Sequence, residues 1–221
     1  MSSARPPKLV NTIILSLGLM MACNVLSWIE ITNEMLLQVK VKHGEQAQHR
    51  LILWKNLLES AKNLPEKDKL RQVNDFFNLN VLFIDDILQW KVDDYWATPL
   101  EFLMTGAGDC EDFAIAKYFT LKELGIEESK MRITYVKALR INKAHMVLSF
   151  FASPKSVPDV LDNLNPDIMP ASQRSDLLPV YSFNGTGLWV AKARNSGKRV
   201  GKSDRLSLWN DLKNRMLKNP F

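Results

Sequence analysis

The spacing of apolar residues changes midway along the chain, and this change constrains the fold more than any other feature of the sequence. Before Gly125, apolar residues recur at helical spacing in two long stretches, HGEQAQHRLILWKNLLESAKNLP and EKDKLRQVNDFFN. After Gly125, short runs rich in β-branched and aromatic residues alternate with turn signals, as in MRITYVKAL, HMVLSFFA, PVYSFN and LWVAKA. Helices followed by antiparallel strands predict an α+β fold, with the helix that begins near Cys110 packed against the sheet.

The first 30 residues predict a signal peptide or an N-terminal membrane anchor. Arg5 and Lys8 precede the apolar run TIILSLGLMMA, which is shorter than the roughly 20 residues that a membrane span needs. Either form of leader would export the chain. Residues 31–221 contain no internal repeat or low-complexity linker and are long enough for one domain.

The net charge of +5 comes in large part from the segment that follows Lys192. We interpret this segment as a basic C-terminal tail that is solvated. A basic tail could instead attract an acidic partner, a membrane surface or nucleic acid. No zinc-ligand spacing and no alternation of aromatic and basic residues supports nucleic-acid binding.

Export makes the cysteine usage informative, because an oxidising compartment favours disulfides. Beyond the leader Cys110 is the only cysteine, so it has no intramolecular partner. It lies in the stretch GAGDCEDFAIAKYF, after a glycine pair and at the predicted start of a helix. The N–H groups of a helix N-terminus lower the pKa of a thiol. Cys110 is therefore a candidate nucleophile, although a buried structural cysteine fits the same pattern.

His145 is the candidate base, because it begins the strand HMVLSFFA, whereas His43 and His49 lie among polar residues. A satisfied core histidine remains the alternative. Asp162, in VLDNLNP, follows that strand, and an antiparallel neighbour would bring its carboxylate beside His145 to accept the imidazole N–H. A turn-forming aspartate also fits this position.

Acidic residues surround the candidate thiol. Asp109, Glu111 and Asp112 suit the N-cap and first turn of a helix without any further role. Three negative charges would nevertheless raise the pKa of a nucleophilic thiol. A bound Ca²⁺ would remove the conflict, since it prefers carboxylate oxygens, and Asp93 and Asp94 could complete its shell.

The motif-bearing stretches DYWATPLEFLMTGAGDCEDFAIAKYFTLKELGI, AHMVLSFF and VLDNLNPDIMPASQRSDLLPVYSFNGTGLW resemble the bacterial transglutaminase-like cysteine proteinases. The resemblance extends over about residues 50–190, with the motifs in the family's order. It implies a papain- or transglutaminase-like core and a thiol protease in which Cys110 is the nucleophile, His145 the base and Asp162 the orienting acid.

The same resemblance implies that Asp109 and Glu111 hold the Ca²⁺ that the family requires for activity. It further implies a periplasmic enzyme that cleaves the N-terminal region of a large surface adhesin and so promotes biofilm dispersal. The implied inhibitor is an inner-membrane receptor that senses cyclic di-GMP and sequesters the protease. Two other readings stay open: an acyl transferase of the same fold and a non-catalytic binding module.

Overall fold

The computed structural model describes residues 30–191 and 197–218, so the predicted leader lies outside it except for Glu30. The helices of the described residues are α1 (Asn33–His43), α2 (Glu45–Ala61), α3 (Glu66–Asn80), α4 (Asp86–Gln89), α5 (Pro99–Thr105), α6 (Cys110–Glu123) and α7 (Ser207–Lys218). The strands are β1 (Leu82–Phe83), β2 (Ala107–Gly108), β3 (Met131–Ala138), β4 (Lys143–Phe150), β5 (Asp159–Leu161), β6 (Met169–Pro170), β7 (Leu177–Phe183), β8 (Leu188–Val190) and β9 (Lys198–Gly201). No helix of the described residues has the length and hydropathy of a membrane span.

The helices before the sheet follow the predicted spacing. In α2 the side chains of Leu51 and Trp54 are fully buried, and in α3 those of Val73 and Phe77 are, because residues three and four positions apart share one face of a helix. The sequence did not predict α1. Its start is set by Thr32, whose side chain accepts a hydrogen bond from a first-turn backbone N–H.

The strands form a seven-stranded antiparallel sheet in the order β6-β5-β4-β3-β7-β8-β9, while β1 and β2 form a separate parallel pair. The predicted α+β class is therefore confirmed. Met146, Leu148 and Phe150 of β4 join α6 in the main core, whereas Val147 joins a smaller cluster, as the two-residue period of a strand requires. The Cys110 helix thus packs against the middle of the sheet.

The prediction of a solvated C-terminal tail is wrong for the described residues 197–218. Strand β9 extends the sheet, and α7 packs onto the domain through Trp209 and Leu212, which are fully buried. The indole of Trp209 stacks on Phe119 with ring centres 5.6 Å apart. Burying the large aromatic ring stabilises the packed position of this segment more than the hydration of its basic side chains opposes it. The segment is therefore part of the folded domain.

Candidate active site

Two glycines place Cys110 at the start of α6. Gly106 ends α5 with φ of 71°, a left-handed conformation that favours glycine. A Cβ atom on Gly108 would lie 2.2 Å from Oδ2 of Asp112, so only glycine allows the backbone to pass this carboxylate. Asp109 is the N-cap of α6 and Cys110 its first residue. The cysteine therefore lies at a helix N-terminus, as the sequence predicted.

A chain of ionic hydrogen bonds holds His145. Its Nε2 atom lies 2.7 Å from Oδ1 of Asp162, the same oxygen that accepts the Leu164 N–H at 3.0 Å. The other oxygen, Oδ2, accepts Nη2 of Arg174 at 2.6 Å, and Arg174 also donates to both carboxylate oxygens of Asp176. His145, Asp162 and Arg174 are all buried. Strand β5 pairs with β4, and this pairing brings Asp162 beside His145.

The charge of Asp162 fixes the tautomer of the imidazole. Burial alone would raise the pKa of Asp162, but hydrogen bonds from His145 and Arg174 outweigh burial and lower the pKa to about 2. The carboxylate is therefore ionised at neutral pH and only accepts hydrogen bonds. We accordingly assign the imidazole proton to Nε2, which leaves Nδ1 as the nitrogen able to accept a proton.

Five carboxylates gather around the start of α6, and we call them the acid cluster: Asp86, Asp94, Asp109, Glu111 and Asp112. Within the groups Asp86–Asp109–Asp112 and Asp86–Asp94–Glu111, one carboxylate oxygen of each residue lies within 4.8 Å of the others. Burial and neighbouring acids raise the pKa of Asp109 to about 10, and burial raises the pKa of Glu111 to about 7. Without a bound cation, the buried site therefore disfavours the ionised form of these carboxyl groups.

The acid cluster suits a hard cation. The Oδ1 atoms of Asp86 and Asp109 are buried and have no hydrogen-bond partner among the described residues, an arrangement that costs free energy unless a cation or water satisfies it. All its donors are carboxylate oxygens, the ligands that Ca²⁺ prefers. The cluster can therefore hold a metal ion. Asp93, which the sequence also suggested, is exposed and belongs to none of these groups.

The thiol of Cys110 is linked to the same cluster. Its Sγ donates to Oε2 of Glu111 at 3.0 Å. Burial raises the pKa of Cys110 well above its ordinary value, the charges of Glu111 and Asp109 raise it further, and the Met146 backbone N–H opposes them. While the neighbouring acids carry uncompensated charge, the thiol stays protonated.

Cys110 and His145 line one cleft of about 530 Å³, which we call the cleft. Tyr135 and Tyr181 also line it, with their rings stacked 5.0 Å apart. Trp96 is a further lining residue, and its indole Nε1 is buried without a hydrogen-bond partner in the part of the chain that the structure describes. The candidate nucleophile and the candidate base thus line one cavity large enough for a peptide segment.

The sequence did not predict two charged residues of this region. Asp86 opens the short helix α4, and Arg174 lies in the stretch NPDIMPASQRSDLLP, which contains β6 and a 3₁₀ turn. Charged residues in loops are usually exposed, so neither has a local signal of burial. The pair Asp85 and Asp86 beside Asp93 and Asp94 is the one hint that several acids converge here.

A sequence model described as bacterial transglutaminase-like cysteine proteinase matches residues 36–194. The chain belongs to this family. The family resemblance predicted from the motifs is therefore confirmed, and with it a cysteine proteinase of transglutaminase-like fold.

Solved structures of family members resemble the chain closely. EGTA-treated LapG of Legionella pneumophila is 45% identical, with a TM-score of 0.74, over 84% of this chain and 98% of that one. Calcium-bound LapG of the same organism is 44% identical, with a TM-score of 0.72, over 84% and 99% of the two chains. No curated protein sequence matches the chain.

Proposed function

We propose that this proteinase is a calcium-dependent endopeptidase in which Cys110 is the nucleophile, His145 the base and Asp162 the residue that orients His145. The observation that carries the proposal is the 2.7 Å contact between His145 Nε2 and Asp162 Oδ1 in the cleft that Cys110 also lines. A buried, ionised carboxylate that holds an imidazole in one tautomer is the arrangement that nucleophilic catalysis needs.

The reaction follows from the assigned protons. His145 Nδ1 takes the Cys110 proton, and the thiolate sulfur forms a bond to the carbonyl carbon of the substrate. The oxyanion accepts a hydrogen bond from the Cys110 backbone N–H, with the indole N–H of Trp96 as the second donor we propose. The C–N bond then breaks as Nδ1–H protonates the leaving amine. Water, deprotonated by His145, releases the acid product from the thioester and restores the thiol.

Asp109 and Glu111 would hold the Ca²⁺, together with Asp86 and Asp94 from the same cluster. The bound cation would neutralise the carboxylates next to the thiol. Two observations support this assignment: the buried Oδ1 atoms of Asp86 and Asp109, which have no partner within residues 30–191 and 197–218, and the calcium-bound structure of LapG from Legionella pneumophila. Glu111 would then no longer be the acceptor that keeps the Cys110 proton in place.

The proposal extends to the biological role. The substrate would be the N-terminal region of a large surface adhesin, cleaved in the periplasm to release the adhesin and disperse a biofilm. A cyclic-di-GMP-sensing receptor in the inner membrane would sequester the enzyme. The support for this role is the family resemblance of the motif-bearing segments and the export leader predicted at residues 1–30.

The test is a cleavage assay with the full chain and the N-terminal region of a large adhesin encoded by the same genome. We expect two fragments, with a free carboxyl group at the new C-terminus, and no cleavage by Cys110→Ala or His145→Gln. Cleavage by Cys110→Ala at the wild-type rate would refute the assignment of the nucleophile. A small primary amine in the assay separates hydrolysis from acyl transfer, since a transferase would leave an amide at the new C-terminus.

A further inference from the structure

The C-terminal helix borders the cleft, although it lies beyond the span that the family model matches, residues 36–194. Arg205, Leu206, Ser207 and Leu208, at the start of α7 and just before it, line the same cavity as Cys110. This part of the chain therefore contacts the space in which the reaction takes place.

The helix is docked firmly enough to act as a support. Trp209 and Leu212 are fully buried. The Trp209 ring meets Phe183 edge-on, with ring centres 5.2 Å apart, and Tyr118 in a similar geometry at 5.9 Å. Such aromatic packing adds to the free energy of burial and fixes the direction in which the next turns of α7 project.

Arg215, in the last turns of α7, reaches back to the residues just before α5. Its Nη2 donates to the backbone carbonyl of Trp96 at 2.5 Å, and its Nη1 donates to the Tyr95 hydroxyl at 2.9 Å and to the carboxylate of Glu101. The guanidinium carbon lies 4.5 Å from the centre of the Tyr95 ring. The planar, multiply donating guanidinium makes all these contacts at once, which a lysine cannot do.

The same residues are held from the opposite side by the acid cluster. The backbone N–H of Tyr95 donates to Asp86, and the backbone N–H of Ala97 donates to Oδ1 of Asp112 at 2.7 Å. Residues 94–97, which we call the cleft segment, are therefore fixed between α7 and the cluster. This segment supplies the Asp94 carboxylate to the cluster and the Trp96 side chain to the cleft.

We propose that Arg215 is a positioning residue of this enzyme. By holding the cleft segment, it sets the place of Asp94 among the cation-binding carboxylates and the place of Trp96 in the cleft. Its effect on cation binding rests on the proposed function, whereas its effect on the cleft segment does not. Arg215 lines no part of the cleft and acts through its contacts with Tyr95, Trp96 and Glu101.

The test compares full-length Arg215→Met with Lys218→Met, which removes an exposed positive charge from the same helix turn. Hydrogen exchange at the amides of residues 95–97 should accelerate about 10-fold or more in Arg215→Met and stay unchanged in the control. Titration calorimetry with calcium chloride, without substrate, should show an affinity about 10-fold lower for Arg215→Met. Arg215→Lys, which keeps the positive charge on a single donor nitrogen, should fall between wild type and Arg215→Met in both measurements.

Three results would overturn the proposal: unchanged exchange in the cleft segment, exchange that accelerates equally throughout the domain, or faster local exchange with unchanged calcium affinity. If Arg215→Met does not fold, the same criteria apply to Arg215→Lys. Failure of the wild type itself to bind calcium would instead count against the proposed function, and the exchange measurement would still decide whether Arg215 holds the cleft segment.

Discussion

On the histidine side of the cleft each charged group has an opposite partner, whereas on the cysteine side carboxylates face one another. Arg174 lies between Asp162 and Asp176, and Asp162 also accepts from His145. The acid cluster, in contrast, holds five carboxylates, with the buried Oδ1 atoms of two of them lacking partners among the described residues. In the first arrangement a guanidinium faces the carboxylates, although Nη1 of Arg174 is buried without a hydrogen-bond partner among the described residues. In the second, no positive charge of the described acid cluster faces the carboxylates.

The site is therefore preorganised on the histidine side and depends on a cation on the cysteine side. Burying a paired charge fixes geometry, so the histidine side is ready at all times. Burying like charges together costs free energy and raises the pKa of the thiol beside them. We infer that control over this enzyme acts through the cysteine side, and the following predictions test that contrast.

Chelation of Ca²⁺ should change the activity most. Removing Ca²⁺ with EGTA should lower the cleavage rate by about 100-fold or more, because the uncompensated carboxylates of Glu111 and Asp109 raise the pKa of Cys110 and so deplete the thiolate at a fixed pH. Alkylation of Cys110, measured against pH, should slow in parallel and recover when Ca²⁺ is added. Activity that resists EGTA would show that the two sides do not differ in this way.

Breaking the histidine side should cost stability in any metal condition. Arg174→Met leaves the buried Asp162 carboxylate without its guanidinium, and we expect a loss of about 3 kcal/mol in the free energy of unfolding, measured with urea. The control is Lys155→Met, which removes an exposed charge. If the loss of unfolding free energy differed with and without EGTA, the histidine side would not be independent of the metal, contrary to this prediction.

The same variant has a pH signature. The folded pKa of Asp162, about 2, lies below its ordinary value of 3.8, so its contribution to stability is present above pH 4 and is lost as the pH falls toward 2. Arg174→Met raises that pKa, so the variant should lose less unfolding free energy than the wild type as the pH falls from 4 to 2. Parallel curves of unfolding free energy against pH would argue against this pairing.

Asp109→Asn should have effects of opposite sign in the two metal conditions. In EGTA the variant lacks a buried carboxyl whose pKa is raised on folding, so it avoids the cost of protonating that group, and we expect a gain of about 1 kcal/mol in the free energy of unfolding. With Ca²⁺ it removes a ligand, so the variant should be less stable than the wild type. Asp93→Asn, at an exposed position outside the cluster, is the matched control and should change neither value. The same sign in both conditions would exclude Asp109 as a ligand.

The weakest effect should come from a buried lysine that is linked to Asp162 through Asn78. Lys117, in α6, donates to the side chains of Asn74 and Asn78, and Asn78 donates to the Asp162 backbone carbonyl. Burial lowers the pKa of Lys117 to about 7, from 10.5. Folding therefore disfavours the extra proton, and stability should rise with pH above 7.

Relative to Lys117→Met, the wild type should gain on the order of 1 kcal/mol in unfolding free energy between pH 7 and pH 8. The exposed Lys137, changed to Met, should show no such pH-dependent difference. A gap between wild type and Lys117→Met that stays constant with pH would mean that Lys117 titrates outside this range.

Much of the fold and of the candidate site could be predicted from the sequence, because these parts depend on local patterns. Helical spacing located α2 and α3, short runs of β-branched and aromatic residues located strands of the sheet, and the glycines before Cys110 located a helix N-terminus. The placement of Asp162 beside His145 followed from assuming that consecutive strands pair antiparallel. The roles of these residues in catalysis stay predictions that the experiments above address.

The remaining parts depend on packing between distant segments. Asp86 and Arg174 are buried only because other elements cover their loops, and no local pattern records this. The basic residues around Trp209 suggested a solvated tail, yet the slot for its ring is formed by Phe119 and Phe183. Long-range contacts of this kind override composition, so the part of the cleft that α7 forms was not predicted.

The short distance along the chain between His145 and Asp162 has a consequence for folding. They are separated by 17 positions and lie at the hairpin that β4 and β5 form, so the loop to be closed is short and its entropy cost is modest. Cys110 meets them only when α6 docks on the sheet, a contact of longer range that forms more slowly. A partly folded chain can thus contain the paired imidazole before the nucleophile is in place, and such an intermediate would be unable to cut its neighbours.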